Sequence, residues 1–289
     1  MPGTSPLHAA QRPLSDRERG ERIHRGELIV FKNVAAMGRL IAVADGMIRE
    51  AFATLEPETA QFHLERDDYL ERIEDLRKSY GKSAEVKSLC RAVLEEVGAD
   101  PARNYWDRRG LRIQPHGAAF ADMHYTLDFH RDSWASNLYQ QTNWWAPIHP
   151  VSHERTIAFR LDCWSTPIAN TSAGWDIEAL RAHRARGAPY PLLPLPTEPV
   201  ALEGAYRAVI EPGDVLCFSS AHLHGSVPNE SGRARFSTEF RTVNIDDIRE
   251  GQGAPNVDGH APHTAFDWFR RVSDGTALPE ALGQDAGGD

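Results

Sequence analysis

Cysteine is scarce in this chain of 289 residues. The three present, Cys90, Cys163 and Cys217, form no Cys-x-x-Cys pair and cannot all pair with one another. That argues against a disulfide scaffold or a structural zinc site and suits a reducing compartment. Long apolar runs are missing too. No stretch approaches the ~18 residues of a membrane span, and the opening MPGTSPLHAAQRPLSDRERGER lacks the apolar core of a signal peptide. The expected location is the cytoplasm, away from membranes. Positive charge is in deficit, Lys+Arg 32 against Asp+Glu 41, for a net charge of −9. A nucleic-acid binder shows the reverse balance, so the expected partner is a small molecule. The oligomeric state stays open, a homodimer included.

Residues 1–25 are polar and proline-bearing, with a charge run from Asp16 to Arg22, the texture of a flexible N-terminal arm. No sharp boundary follows, so residues 26–289 are expected to form a single domain: 26–100 mostly helical, 101–245 a β-rich core, 246–289 a C-terminal extension. A short strand over 28–31 leads into a helix over 35–53. There Met37, Leu40, Ile41, Ala44, Met47 and Ile48 recur at three and four places. Two further helices are expected at 67–80 and 83–97. After Pro101, β-rich segments fall at 111–114, 125–130, 138–148, 156–161, 206–210, 215–219 and 235–243, separated by Gly, Pro, Asn and Asp clusters. A helix over 175–186 and a proline-rich loop over 189–199 interrupt them. Helices first and short strands afterwards predict a mainly β fold, a sandwich or jelly roll with a helical buttress.

The chemistry concentrates in two places. In Asp128-Phe-His-Arg-Asp-Ser-Trp134, His130 and Asp132 are two apart, so on a strand both side chains leave one face. An imidazole and a carboxylate side by side can chelate a divalent ion, although His-x-Asp alone is a weak signal. A second histidine from elsewhere would complete the 2-His-1-carboxylate facial triad of non-haem iron sites, with three positions left open. The later stretch Pro212–Asn229 supplies His222 and His224 just beyond an apolar strand. After it, Arg235, Ser237, Glu239 and Arg241 share one strand face, with Phe236, Thr238 and Phe240 on the other. An arginine facing a metal site suits a bidentate grip on a carboxylate.

His130-x-Asp132, then His224, then Arg235 eleven residues on, resembles the Fe(II)/2-oxoglutarate-dependent oxygenases, specifically their phytanoyl-CoA dioxygenase-like branch. The segment HGSVPNESGRAR (His224–Arg235) is similar to that branch's distal segment, and the likeness spans about residues 112–243. The resemblance implies a double-stranded β-helix, a cupin-like jelly roll with N-terminal helices packed on one sheet. It implies Fe(II) held by His130, Asp132 and His224, with 2-oxoglutarate and O2 as co-substrates. It also implies Arg235 and Ser226 on the distal carboxylate of 2-oxoglutarate, with Ser237 completing an Arg-x-Ser motif. Residues 154–170 lack the Asn-Gly and Pro-Gly-Ser-His elements common in the family, so the acyl-CoA substrate is not carried over.

Several residues keep two readings. His222 competes with His224, but only His224 has Gly-Ser after it and Arg235 at the family distance. His222 then becomes a supporting or surface histidine, and His116, His124, His149 and His153 become structural or exposed. Arg241 could anchor the carboxylate instead of Arg235. On the 138–148 strand, Gln141, Asn143 and Trp145 share a face with Tyr139 and are expected to line the interior, while Trp144 and Trp145 could equally be packing. Arg112 either reaches substrate or co-substrate, or forms a salt bridge. Trp164, Trp175 and Arg160 are candidate substrate-loop residues. A lining rich in hydrogen-bonding groups, with no continuous apolar wall, predicts hydroxylation of a small polar metabolite of secondary metabolism. Rival readings are an oxidative cyclase, desaturase or epimerase on the same fold, a halogenase, which Asp132 argues against, and a non-catalytic cupin-like binding protein.

Overall fold

Strands that are apolar on both faces must be covered on both sides. The computed structural model, which describes residues 6–117 and 127–284, covers them with helices on one side and a second sheet on the other. The larger sheet contains β1 (Leu7–Ala10), β2 (Leu28–Phe31), β3 (Asn104–Trp106), β4 (Gly110–Gln114), β5 (Thr142–Pro147), β8 (Val215–Ser219), β10 (Arg235–Asn244) and β11 (Arg270–Arg271). The smaller contains β6 (Ile157–Phe159), β7 (Tyr206–Ala208) and β9 (His224–Ser226). The strand order is β1-β2-β8-β5-β10-β3-β11, with β4 also on β10, and β7-β6-β9. Only β1 on β2 is parallel; the other pairings run antiparallel.

Alternation sorts the side chains between the layers. Ile29, Phe31, Trp144, Val215, Cys217 and Phe236 join the helical residues in the main core. Leu28, Val30, Trp145, Leu216 and Phe218 point the other way and meet Ile157, Phe159 and Ala208 of the small sheet. The helical layer is α2 (Ala35–Phe52), α3 (Arg66–Lys82) and α4 (Ala84–Glu96). Met37, Leu40, Ala44, Ile48 and Phe52 form the buried stripe of α2, as the periodicity predicts. Shorter helices are α5 (Ser133–Ser136), α6 (Ile177–Ala185), α7 (Ile245–Arg249) and α8 (Leu278–Gln284). No helix among the described residues is long and apolar enough to cross a membrane.

Three expectations are corrected. Within the arm expected over 1–25, β1 adds to the edge of the large sheet and α1 (Asp16–Ile23) follows. Its charge run conceals a capping box between Ser15 and Glu18, and Arg19 is buried with its guanidinium 5.1 Å from the Trp144 ring. The strand over 138–148 starts only at Thr142, because Asn137 adopts φ 52° and Gln141 turns back to hydrogen-bond Leu138. In the strand expected over 125–130, residues 125 and 126 lie outside the described residues, as does His124. Residues 127–129 are not in a strand, and His130 makes a single bridge.

The fully buried Phe236 sits edge-on to Phe52, ring centroids 6.3 Å apart, and ties β10 to α2. Phe236→Ala should cost about 3–5 kcal/mol, read as a lowered midpoint in urea or heat. A loss below ~1 kcal/mol would mean that this contact does not hold the helices to the sheet.

Candidate metal centre and its cavity

His130 and His224 are brought together by the backbone. They face each other as an antiparallel bridge and exchange both N–H···O=C bonds, each 2.9 Å. Such pairs send their side chains to the same face, and the two imidazole centroids are 4.5 Å apart. Gly225 permits the approach. A Cβ there would lie 3.0 Å from the Phe129 nitrogen and 3.1 Å from the Leu127 oxygen. The Gly that follows His224 therefore has a local steric reason.

Asp132 reaches the same point by a different route from the one expected. After His130 the chain turns, and Asp132 is the helical-dihedral N-cap of α5, so the pair does not lie along one strand. Its carboxylate is 3.6 Å from His130 Nε2 and 4.0 Å from His224 Nε2. Ligand atoms of all three residues lie within 4.8 Å of one another, a grouping fit for a metal ion. Each histidine keeps Nδ1 on a backbone carbonyl: His130 on Asp128 at 2.8 Å, His224 on His222 at 2.9 Å. With the proton on Nδ1, the Nε2 lone pair is free for a metal. Burial, reinforced by the neighbouring His130, holds the His224 pKa down at about 4. For Asp132 burial pushes the pKa up, but the His130 contact and the charges of Arg241 and His224 outweigh it and hold the carboxyl well below its usual range. The donor set, two imidazoles and one carboxylate, is the one non-haem Fe(II) takes.

The turn is fixed from beneath. Arg131, fully buried, donates to Asp258 and to the carbonyls of Ala221, Cys163 and Thr166. Asp258 also accepts from Trp134 Nε1 at 2.7 Å and from the Ile168 amide at 3.0 Å. Sequence reasoning missed Arg131 and Asp258. Nothing in their spacing announces the pair, since 127 residues separate them.

The centre opens into a cavity of about 550 Å³ between the sheets, lined by His130, Asp132, His224, Ser226 and Arg235 among others. Asn143 donates to Asp132, and Gln141 donates to Asn143 Oδ1 at 2.9 Å. Asn143 and Trp145 line the cavity as expected, whereas Gln141 stands behind Asn143. Arg112 also lines it, but its guanidinium is engaged bidentately by Glu239 at 3.0 and 2.6 Å. Arg160 does not line it, being held by Asp162 and the Ala201 carbonyl. Trp164 lies on His222, while Trp175 is in the wall. Contrary to the polar lining expected, Trp175, Leu180, Leu192, Leu193 and Trp268 give the cavity an apolar side. Trp175 just before α6 was a candidate from sequence; Leu180 of α6, Leu192 and Leu193 of the following loop and Trp268 of the 266–268 turn were not.

Three arginines on β4 and β10 differ in what they hold. Arg112 has Glu239. Arg241 has Asp107, with Nη1 3.7 Å from Asp132. Arg235, 1% exposed, forms no ion pair with a carboxylate among the described residues. Its Nη1 donates to the Thr156 carbonyl at 2.7 Å, Nη2 is 3.5 Å from Ser226 Oγ, and Nε has no hydrogen-bond partner among the described residues. Burial pulls its pKa down to about 9. Trp145 Nε1, also in the lining, and Ser237 Oγ, two residues along β10, are likewise buried without partners among the described residues. Unsatisfied buried donors such as Arg235 Nε and Trp145 Nε1 in a cavity wall fit an anionic ligand. His222 is not placed to bind metal: its ring nitrogens lie 3.2 and 3.1 Å from the carbonyls of Ser219 and Gly26.

Replacing His130, Asp132 or His224 by Ala should abolish tight Fe(II) binding in equilibrium dialysis, while His222→Ala should keep most of it. A metal-free His222→Ala protein with an intact His224→Ala one would reverse the assignment. Gly225→Ala, which pushes a methyl group against the 127–129 backbone, should weaken metal binding without removing a ligand, and unchanged affinity would show that the backbone yields there.

No protein-family model matches the chain, and no curated protein matches its sequence. Similar solved structures include EvdO2 from Micromonospora carbonacea var. aurantiaca complexed with 2-oxoglutarate, with a TM-score of 0.45 and 13% identity over 79% of this chain and 89% of that one. A nickel complex of ThoJ, a non-heme monooxygenase, has a TM-score of 0.44 and 13% identity over 78% and 77%. EctD from S. alaskensis in its apoform has a TM-score of 0.42 and 13% identity over 95% and 91%.

Proposed function

We propose that the protein is an Fe(II)- and 2-oxoglutarate-dependent oxygenase that hydroxylates a small metabolite, and that its two sheets form a double-stranded β-helix around the site. The observation that carries this reading is one cavity holding both the His130–Asp132–His224 set and, in Arg235, a buried guanidinium paired with no carboxylate among the described residues. A pure metal binder has no use for the second element, because an unpaired buried charge is costly. In the overall reaction the substrate, O2 and 2-oxoglutarate give hydroxylated product, succinate and CO2.

Each group has a role in this reading. His130, Asp132 and His224 hold Fe(II), which supplies the redox chemistry when bound and has three positions left for ligands. Asn143 orients the Asp132 carboxylate, and Gln141 orients Asn143. Arg235 takes the distal carboxylate of 2-oxoglutarate, with Ser226 and Ser237 as hydroxyl partners on either side. Arg241 is committed to Asp107 and serves to keep Asp132 ionised.

Succinate release with Fe(II), 2-oxoglutarate and ascorbate tests the reaction. Arg235→Ala removes a charge-assisted contact worth about 2–5 kcal/mol, so the apparent affinity for 2-oxoglutarate should fall by about 30-fold or more while Fe(II) binding survives. Arg241→Ala should affect 2-oxoglutarate affinity less. Greater damage from Arg241→Ala would transfer the anchor role, and no succinate under any substrate mixture would sink the oxygenase reading.

A further inference from the structure

The ionic partners around the cavity do not balance. Glu239 is taken by Arg112 and Asp107 by Arg241. Asp267 lies 4.0 Å from Arg181, which also holds Glu178. Asp132 belongs to the metal set and Arg235 to the co-substrate, under the reading above. Arg270 is held by the carbonyls of Asp267 and Phe269, at 2.9 and 3.0 Å. Arg108 and Arg184 remain. Both line the cavity, both are exposed residues, and neither makes an ion pair or side-chain hydrogen bond with any described residue.

Arg108 is the better placed of the two. It lies in the turn between β3 and β4, flanked by two register points on β10. Asp107 donates its amide to the Arg241 carbonyl at 3.2 Å, and Gly110 stands opposite Glu239. The charges that act on Arg108 are those of Arg241, Asp107, Glu239 and Arg112. Three guanidinium groups thus share two carboxylates, and the third has its charge uncovered in a cavity that also holds the metal set. The chain as a whole carries −9, so this local excess of positive charge runs against the background. Close by, the apolar wall of Trp175, Leu180, Leu192, Leu193 and Trp268 can cover a hydrocarbon or aromatic body.

We propose that the substrate carries an oxyanion, a carboxylate or a phosphate, bound by Arg108 with Arg184 of α6 contributing, and an apolar body against the Trp175–Trp268 wall. A planar guanidinium with two free edges suits either group. This names the substrate class of the proposed oxygenase and rests on that reading for the assignment of Arg235 to the co-substrate.

Small probes test it without turnover. Calorimetric titration of the full chain, in excess 2-oxoglutarate, compares benzoate with benzamide and phenyl phosphate with phenol. The better anion should bind at least tenfold more tightly than its neutral partner, and the stronger of the two names the group. Arg108→Gln should erase most of that preference and Arg184→Gln a smaller share, whereas Arg235→Gln should leave it. Equal binding of anion and neutral partner, no binding of either anion, or a preference that survives Arg108→Gln would overturn the proposal. Succinate release is measured separately. An Arg108-dependent anion preference without it would sink the oxygenase reading and leave the anion subsite standing.

Discussion

Two backbone hydrogen bonds between His130 and His224 organise the site. An antiparallel pair of this kind sets the separation and direction of two side chains without any contact between the side chains themselves. The imidazoles are therefore juxtaposed before a metal arrives, and their Nδ1 bonds to Asp128 and His222 carbonyls fix which nitrogen is free. Close approach of the backbones needs Gly225, and the turn that swings Asp132 into place needs the Arg131–Asp258 pair beneath it. A metal site built this way is preorganised by main chain and buried charge, which is what holds ligand geometry to fractions of an ångström.

Burial of charge is the second theme. Asp132 is desolvated next to two histidines and Arg241, and the balance falls on the side of ionisation. Arg112 and Arg241 each offset their own burial with a carboxylate on or near β10. Arg235 has no such partner, and burial lowers its pKa to about 9. A fold that needed only rigidity would complete this pair or replace the arginine with an apolar side chain, since buried ion pairs are often no better than packed hydrophobes. Leaving one guanidinium incomplete in the wall of a cavity makes sense where a ligand completes it.

Local signals made much of this legible in the sequence. The stripe of α2 follows from periodicity and the strands 28–31 and 215–219 from short apolar runs, and the alternation in β10 put Arg235, Glu239 and Arg241, which line the cavity, on one face with Ser237. The His130, Asp132 and His224 grouping was readable because each residue type is chemically restrictive. What was hidden is non-local. The polar start reads as an arm because the pairing of β1 with β2 and the burial of Arg19 over Trp144 depend on distant residues. The helix over 175–186 was legible, and Trp175 was a candidate, but only packing shows that Leu180 is buried against the cavity as well. Face assignments fail where the strand stops: Gln141, placed by alternation in the lining, sits before β5 begins and supports Asn143 from behind.

The cavity joins these themes. Among the described residues its metal end is polar and largely paired, with Arg235 Nε and Trp145 Nε1 left over, so it discriminates by leaving donors unsatisfied when the wrong ligand enters. Its other side is apolar and supplies area with little direction. A ligand that meets both demands has a charged or strongly accepting end and a body that can be desolvated. Selectivity then comes from the polar end, because an unpaired buried donor costs more than a missing methylene gains. That asymmetry explains why an acidic protein concentrates arginine where it does. The surface can repel anions generally, while β4, β10 and the turn before β4 gather enough guanidinium groups in one place to accept a particular one.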